Sequence, residues 1–308
     1  MINSDLAPSS HLFSVSGSGK TRLSLDGLCS HWGLYISCRS MIGMASGSND
    51  FTELLQDMST WTTKSPDLSN NGQAVAHRAF EMLLCARVFI LKQLVQRLPV
   101  NTGITVARRR WVFAQVLPPC LEHEDKDLFV KVLRSLRGAT TDIMRDITRS
   151  SLRNITKYLF SMGSDTRLFV VIDEAQVAAE YLDFFRSASG TERRPILREM
   201  VSFFQSSQIF KRIILSGTGL SMEMVKDAVG SLSAREVTNE SQGVFTNVGR
   251  FTSEDSSQEV YISRYLNLSK DNVSDRRLLE RMKYWFSGRY VYYLAPQDSF
   301  SSLIIVTA

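Results

Sequence analysis

The stretch Ser16-Gly-Ser-Gly-Lys-Thr21 constrains this chain more than any other. It follows the short β-prone run His11–Val15 and precedes Arg22–His31, where Leu23, Leu25 and Leu28 fall at helix-like spacing, so the order reads strand, glycine loop, helix. Gly19, Lys20 and Thr21 match the pattern G-x-x-x-x-G-K-[ST]. In that pattern backbone N–H groups wrap phosphates at a helix start, the lysine neutralises β/γ oxygens and the hydroxyl binds Mg²⁺. Ser14 stands where the first glycine would fall, while Gly17, next to Ser18, supplies a second flexible point. A Gly/Ser surface turn with an exposed lysine is the bland alternative. The flanking strand and helix weigh against it, because a helix dipole and its unpaired N–H groups are what a phosphate needs.

Two later runs supply partners for such a loop. Leu168–Ile172 is continuously apolar and ends in Asp173-Glu174, and Ile213–Leu215 ends in Ser216-Gly217-Thr218-Gly219. Both are expected to be buried parallel strands. A hydrolytic phosphate site needs a carboxylate at a buried strand end to hold Mg²⁺ through water, and a second to orient the attacking water. Asp173 is therefore expected, with Thr21, as the metal residue, and Glu174, with Lys20, as catalytic. Gln176 could help position that water or simply face solvent from a first helical turn. Ser216 or Thr218 suits a polar group that reads the nucleotide's phosphates, against a tight turn with a capping threonine. Arg193, Arg194, Arg198 or Arg289 could bridge charge on a γ-phosphate, though a solvated role is the more ordinary one for each.

Between the early and late strands the periodicity is helical: Gln73–Leu98, stopped by Pro99, then Ala107–Leu117, Lys126–Leu136 and Thr141–Phe160. This predicts an all-helical insertion over about residues 73–160, preceded by a polar stretch, Ser40–Asn71, read as loop plus one short helix. Further helices are expected at Ile196–Phe204, Ser221–Ala228, Ser257–Asn267 and Asp275–Phe286. The formal charge is +5, and Ala74–Phe160 alone holds 15 Lys/Arg against 7 Asp/Glu, so any acidic partner belongs there. Arg108–Arg110 beside Trp111 and Phe113, with Arg134, Arg137, Arg145, Arg149 and Arg153 nearby, has the composition of a nucleic-acid contact. Solvated arginine faces around a core tryptophan account for the same residues and are favoured.

With 44% hydrophobic residues the chain can bury one large core or two smaller ones. Cys29, Cys38, Cys85 and Cys120 form no CxxC pair, and His31 completes no zinc spacing, so reduced structural thiols are expected. No signal peptide and no run near the roughly 18 apolar residues of a membrane span is visible. An intracellular protein without a membrane partner is the expectation.

The strings LFSVSGSGKTRL, GLCSHWGLYI, LFVVIDEAQ, FRSASGTERRPILREM and FKRIILSGTGLSM, over about residues 10–290, resemble the fungal crinkler-like and retrotransposon-hot-spot-like P-loop ATPases, an AAA or STAND-type group. The resemblance implies an α/β fold: a P-loop NTPase core with a parallel sheet, a large helical insertion and a small C-terminal helical lid. The core with its insertion would span 1–248 and the lid 249–290. It implies binding of ATP or another NTP with Mg²⁺ and hydrolysis of the γ-phosphate; a mechanical or switch output is the accompanying expectation, to which a protein partner or a second copy of the chain could belong. Trp285–Tyr290 (WFSGRY) looks like the start of a Gly-Arg sensor segment, which would bring Arg289 to the nucleotide. The likeness stops at Val291, so residues 291–308 are expected to be an atypical tail from truncation or a gene-model artefact, leaving the lid incomplete. The rival expectations are a nucleotide-binding switch with little turnover, a nucleic-acid-associated module using the basic helices, and a decayed relic that binds nothing.

Overall fold

The architecture comes from a computed structural model, which describes residues 9–13, 20–39, 47–64, 72–99, 101–116, 127–181, 185–186, 193–218, 224, 243–245 and 272–286. Strand β1 (Ser9–Phe13) leads to helix α1 (Lys20–Ser30) and strand β2 (Gly33–Ser37). Helices α2 (Asp50–Lys64), α3 (Gly72–Arg97), α4 (Ile104–Val116), α5 (Leu128–Ser135) and α6 (Thr141–Ser161) follow. Strand β3 (Leu168–Asp173) then runs into α7 (Ala175–Glu180). The two-residue strands β4 (Phe185–Arg186) and β5 (Arg193–Arg194) pair antiparallel, and after them come α8 (Ile196–Ser206), β6 (Phe210–Gly217), β7 (Gly243–Phe245) and α9 (Val273–Phe286).

The main sheet has five strands in the order β2-β3-β6-β1-β7, and every pairing in it is parallel. Because parallel strands all point one way, their carboxyl ends share one edge: Ser37 lies opposite Asp173, and Gly217 opposite Phe13. Alternation along the strands splits the core in two. Tyr35, Val171, Phe169 and Ile214 pack with Leu28 of α1 and Val112 of α4 on one face. Leu34, Ile36, Val170, Ile172, Ile213 and Leu215 join the larger core of α2, α3, α6, α7 and α8 on the other. Covered on both faces, β2 and β3 are almost entirely buried, which is why their sequences read as continuous apolar runs and not as alternation.

Helix α3 is the hub of the helical block. It buries side chains on nearly all sides, Arg87 included, as a helix surrounded by others must. Asp127 ties two helix starts together: it caps α5 by accepting from the Phe129 and Val130 amides, and also accepts from Ser48 Oγ and the Asn49 amide just before α2. The helical block begins earlier than its expected start near residue 73, since α2 is a full 15-residue helix and not a short one. Its Phe51, Leu54 and Met58 lie in the same core as α3. Expected helices at Ser221–Ala228 and Ser257–Asn267 and the tail from Val291 fall outside the described residues, apart from Met224 alone. No helix among the described residues is long and apolar enough to cross a membrane.

Candidate functional site

The carboxyl edge of the sheet gathers the residues singled out from the sequence. The six residues 14–19 join the carboxyl end of β1 to the first turn of α1, so Gly17, Ser18 and Gly19, although outside the described residues, bridge these two elements. Lys20 opens α1 and is only 6% exposed, an unusual burial for an ammonium group. Burial pulls its pKa below the ordinary lysine value, against the opposing pull of Glu174 first and Asp173 second. Next to it, Thr21 Oγ1 donates to Asp173 Oδ2 at 2.9 Å, a contact across 152 residues of sequence. Asp173 is 3% exposed at the last position of β3, and its carbonyl accepts from the Cys38 amide at 2.9 Å, which fixes the strand end.

Glu174 leaves the strand in the left-handed region, φ 54° and ψ 39°, where a residue with a Cβ is strained. Its carboxylate accepts from Gln176 Nε2. Gln176 in turn crosses to the tip of β6: its Oε1 lies where a Cβ on Gly217 would stand, 2.2 Å from that position. The absence of a side chain at Gly217 is thus what admits Gln176 beside Glu174. Ser216, one residue earlier and fully buried, faces the α1 side with Ile214 by strand alternation, and its hydroxyl has no hydrogen-bond partner among the described residues. Thr218 is half-buried.

Thr21 and Asp173 are the residues of this edge that could hold a hydrated divalent cation. One hydroxyl and one carboxylate already touch, and Mg²⁺ takes most of its remaining ligands from phosphate and water instead of an all-protein cage. Among the described residues no group of three or more His, Cys, Asp or Glu converges.

Among the described residues no hydrogen bond or ion pair joins Arg198 to Asp173 or Glu174, Arg193 and Arg194 belong to β5, and Arg289 lies outside the described residues. In the basic block Trp111 is core, 1% exposed, with its indole N–H donated to the Gly33 carbonyl at 2.6 Å. Arg134 and Arg137 pair with Glu53, Arg145 with Glu81 and Arg149 with Asp146, while Arg108 donates to Ser164. Arg134, Arg137, Arg145 and Arg149 thus answer carboxylates while staying 42–62% exposed, and Arg109, Arg110, Phe113 and Arg153 are exposed as well.

Sequence reasoning missed four residues that hold this edge from behind. Tyr35, 0% exposed, donates its hydroxyl to Asp173 Oδ2 at 2.7 Å. Its amide donates to Gln115 Oε1 at 2.8 Å, and its carbonyl accepts from Arg87, which grips Asp50 bidentately at 2.7 and 2.8 Å. Burial raises the Asp50 carboxyl, with Arg87 opposing the rise. The available signal was Arg87 itself, a charge within an apolar stretch of α3 (Leu83, Ala86, Ile90) that requires a buried partner.

Comparison with protein-family models, with curated proteins and with solved structures found no match for this chain.

Proposed function

We propose that the chain binds ATP or a related nucleoside triphosphate with Mg²⁺ at the carboxyl edge of its sheet and hydrolyses the γ-phosphate. The observation that carries this reading is the Thr21–Asp173 hydrogen bond, which unites the hydroxyl of the glycine-loop motif with the carboxylate of a distant buried strand. Strand order supports it: β6 lies between β1 and β3, so buried Ser216 stands between the loop strand and the carboxylate strand. A crevice outside the carboxyl ends of parallel strands is also where ligands bind in open α/β sheets.

In this reading residues 14–19 and the N-terminus of α1 cradle the phosphates, and Lys20 neutralises charge on the β and γ oxygens. Burial disfavours the charged form of Lys20 and the Glu174 and Asp173 carboxylates oppose that; a bound phosphate would add to their pull and favour the ammonium further. Mg²⁺, held through Thr21 and Asp173, would neutralise charge on the transferred phosphoryl group. Glu174 orients the attacking water, and Ser216 offers its unpaired hydroxyl toward the phosphates. The output is mechanical or switch-like. The resemblance to crinkler-like ATPases belongs with this proposal.

A switch with little turnover is the second reading, and one observation favours it: Gln176 already occupies the carboxylate of Glu174. Titration of purified protein with Mg²⁺-ATP, with turnover followed in parallel, separates the two. Lys20→Ala is expected to weaken binding at least about tenfold, some 1.4 kcal/mol. Glu174→Gln is expected to keep binding and lose turnover by roughly a hundredfold. Slow turnover that Glu174→Gln leaves unchanged selects the switch; wild-type protein that binds no nucleotide overturns both.

A further inference from the structure

We propose that Tyr35 is a positioning residue for Asp173, and that through it the helical block tunes how readily the edge accepts a divalent cation. The inference rests on the reading of Thr21 and Asp173 as the cation-holding pair.

Two hydroxyls converge on one carboxylate oxygen: Tyr35 donates to Asp173 Oδ2 at 2.7 Å and Thr21 Oγ1 donates to the same atom at 2.9 Å. A hydroxyl has one proton to donate and keeps its lone pairs. Thr21 can therefore stay bonded to Asp173 while its oxygen turns lone pairs toward a cation, and Oδ1 is the carboxylate oxygen left to accept from a cation's water. Tyr35 offers no such service, because it is 0% exposed below the edge. Its contribution is to set the carboxylate's torsion.

An ordinary core tyrosine would need only its hydroxyl satisfied. Here the backbone of the same residue is held from both sides by the inserted helices. Gln115 of α4 accepts from its amide at 2.8 Å, and Arg87 of α3 donates to its carbonyl. Arg87 is fixed by a bidentate pair with Asp50 of α2, both side chains 0% exposed, and its guanidinium lies over the Phe129 ring at 5.0 Å from the centroid. Two residues earlier, Trp111 donates to the Gly33 carbonyl at 2.6 Å. A strand at the sheet's margin gains ladder bonds on one side only; here two helices, α3 and α4, supply the other side at the residue whose hydroxyl meets Asp173, with α2 holding Arg87. Movement of α2, α3 or α4 is therefore passed to Asp173 through one rigid side chain.

The test uses the full chain and binding, not turnover. ATP binding is measured calorimetrically in EDTA and across a Mg²⁺ series for wild type, Tyr35→Phe and the control Tyr158→Phe, whose hydroxyl has no partner among the described residues. Tyr35→Phe is expected to raise the half-saturating Mg²⁺ about tenfold, the size of a lost hydrogen bond to a charged group. Affinity in EDTA should stay unchanged, and Tyr158→Phe should behave as wild type. If Tyr35→Phe does not fold, as its melting curve will reveal, Arg87→Lys carries the test: it keeps a cation for Asp50 but loosens the Tyr35 carbonyl, and a raised Mg²⁺ requirement is again expected. Wild type that binds Mg²⁺-dependently, with the decisive variant needing the same Mg²⁺, overturns the role of Tyr35 alone. Wild type that binds no Mg²⁺-ATP overturns the reading of the pair and this inference with it.

Discussion

Gly33 and Gly217 sit at two crowded points of the sheet, and what crowds them differs. A Cβ on Gly33 would stand 2.5 Å from the Phe169 carbonyl oxygen and 2.6 Å from Leu28 Cδ2, so the neighbouring strand and α1 both press on it. At Gly217 the main obstacle is the far end of Gln176, at 2.2 Å, with the Ala175 amide nitrogen close at 3.2 Å and needing to give by only a few tenths of an ångström. Gly33→Ala is therefore expected to lower stability by about 2–3 kcal/mol through backbone displacement, read as a fall in the denaturation midpoint. Gly217→Ala should cost under about 1 kcal/mol, because Gln176 can swing aside. That swing also frees the Glu174 carboxylate. The sequence named Lys20, Thr21, Asp173 and Glu174 because each belongs to a spaced pattern with chemical meaning. Tyr35 and Asp50 carry no pattern; their importance comes from atoms that meet only after folding.

Among the elements, α2 shows how composition can hide periodicity. Phe51, Leu54, Met58 and Trp61 recur at helical spacing, yet the surrounding Ser40–Asn71 stretch is polar and marked by Gly43, Gly47 and Pro66, so it reads as loop plus one short helix and the helix's full length is hidden. The long helix α3 is legible from sequence within a residue at each end because apolar spacing and Pro99 agree. The joint between α2 and α5 is not, since it depends on Glu53 meeting Arg134, with Arg137 beside it. The hydrogen bonds from Arg134, with the charges of both arginines, outweigh burial and hold the Glu53 carboxyl below its ordinary value of 4.5. A depressed carboxylate stabilises the fold fully above that ordinary value and loses its contribution as the pH falls through the folded one. Melting temperature is therefore expected to decline on the acid side, starting near pH 4.5, with Glu53→Gln flattening this part of the profile and lowering stability at neutral pH. A Glu53→Gln profile superimposable on wild type would exclude the pair as a contributor.

At the scale of the molecule, stability is distributed unevenly. Helix α3 and strands β2, β3 and β6 share the buried core, whereas the described side chains of α9, Val273 through Arg281, are all exposed or half-buried. Amide exchange should follow that division: α9 is expected to exchange through local opening, roughly a thousandfold or more ahead of α3 and β3, which should exchange only with global unfolding. Equal protection of α9 and α3 would show that α9 is packed as part of the core. By itself the sequence determined the parallel α/β character, the strand and the helix on either side of residues 14–19 and the carboxylate-tipped strand at Asp173, because apolar runs and helical spacing are local and each constrains only its own segment. Tertiary structure alone decided that β6 lies between β1 and β3, that Thr21 reaches Asp173 and that Arg87, Arg134, Arg137 and Arg145 answer distant carboxylates. It also decided that Tyr35 is clamped by Arg87 and Gln115. Such contacts join residues dozens to more than a hundred positions apart, and what selects them is the requirement that every buried charge and backbone group find a partner once the two cores close.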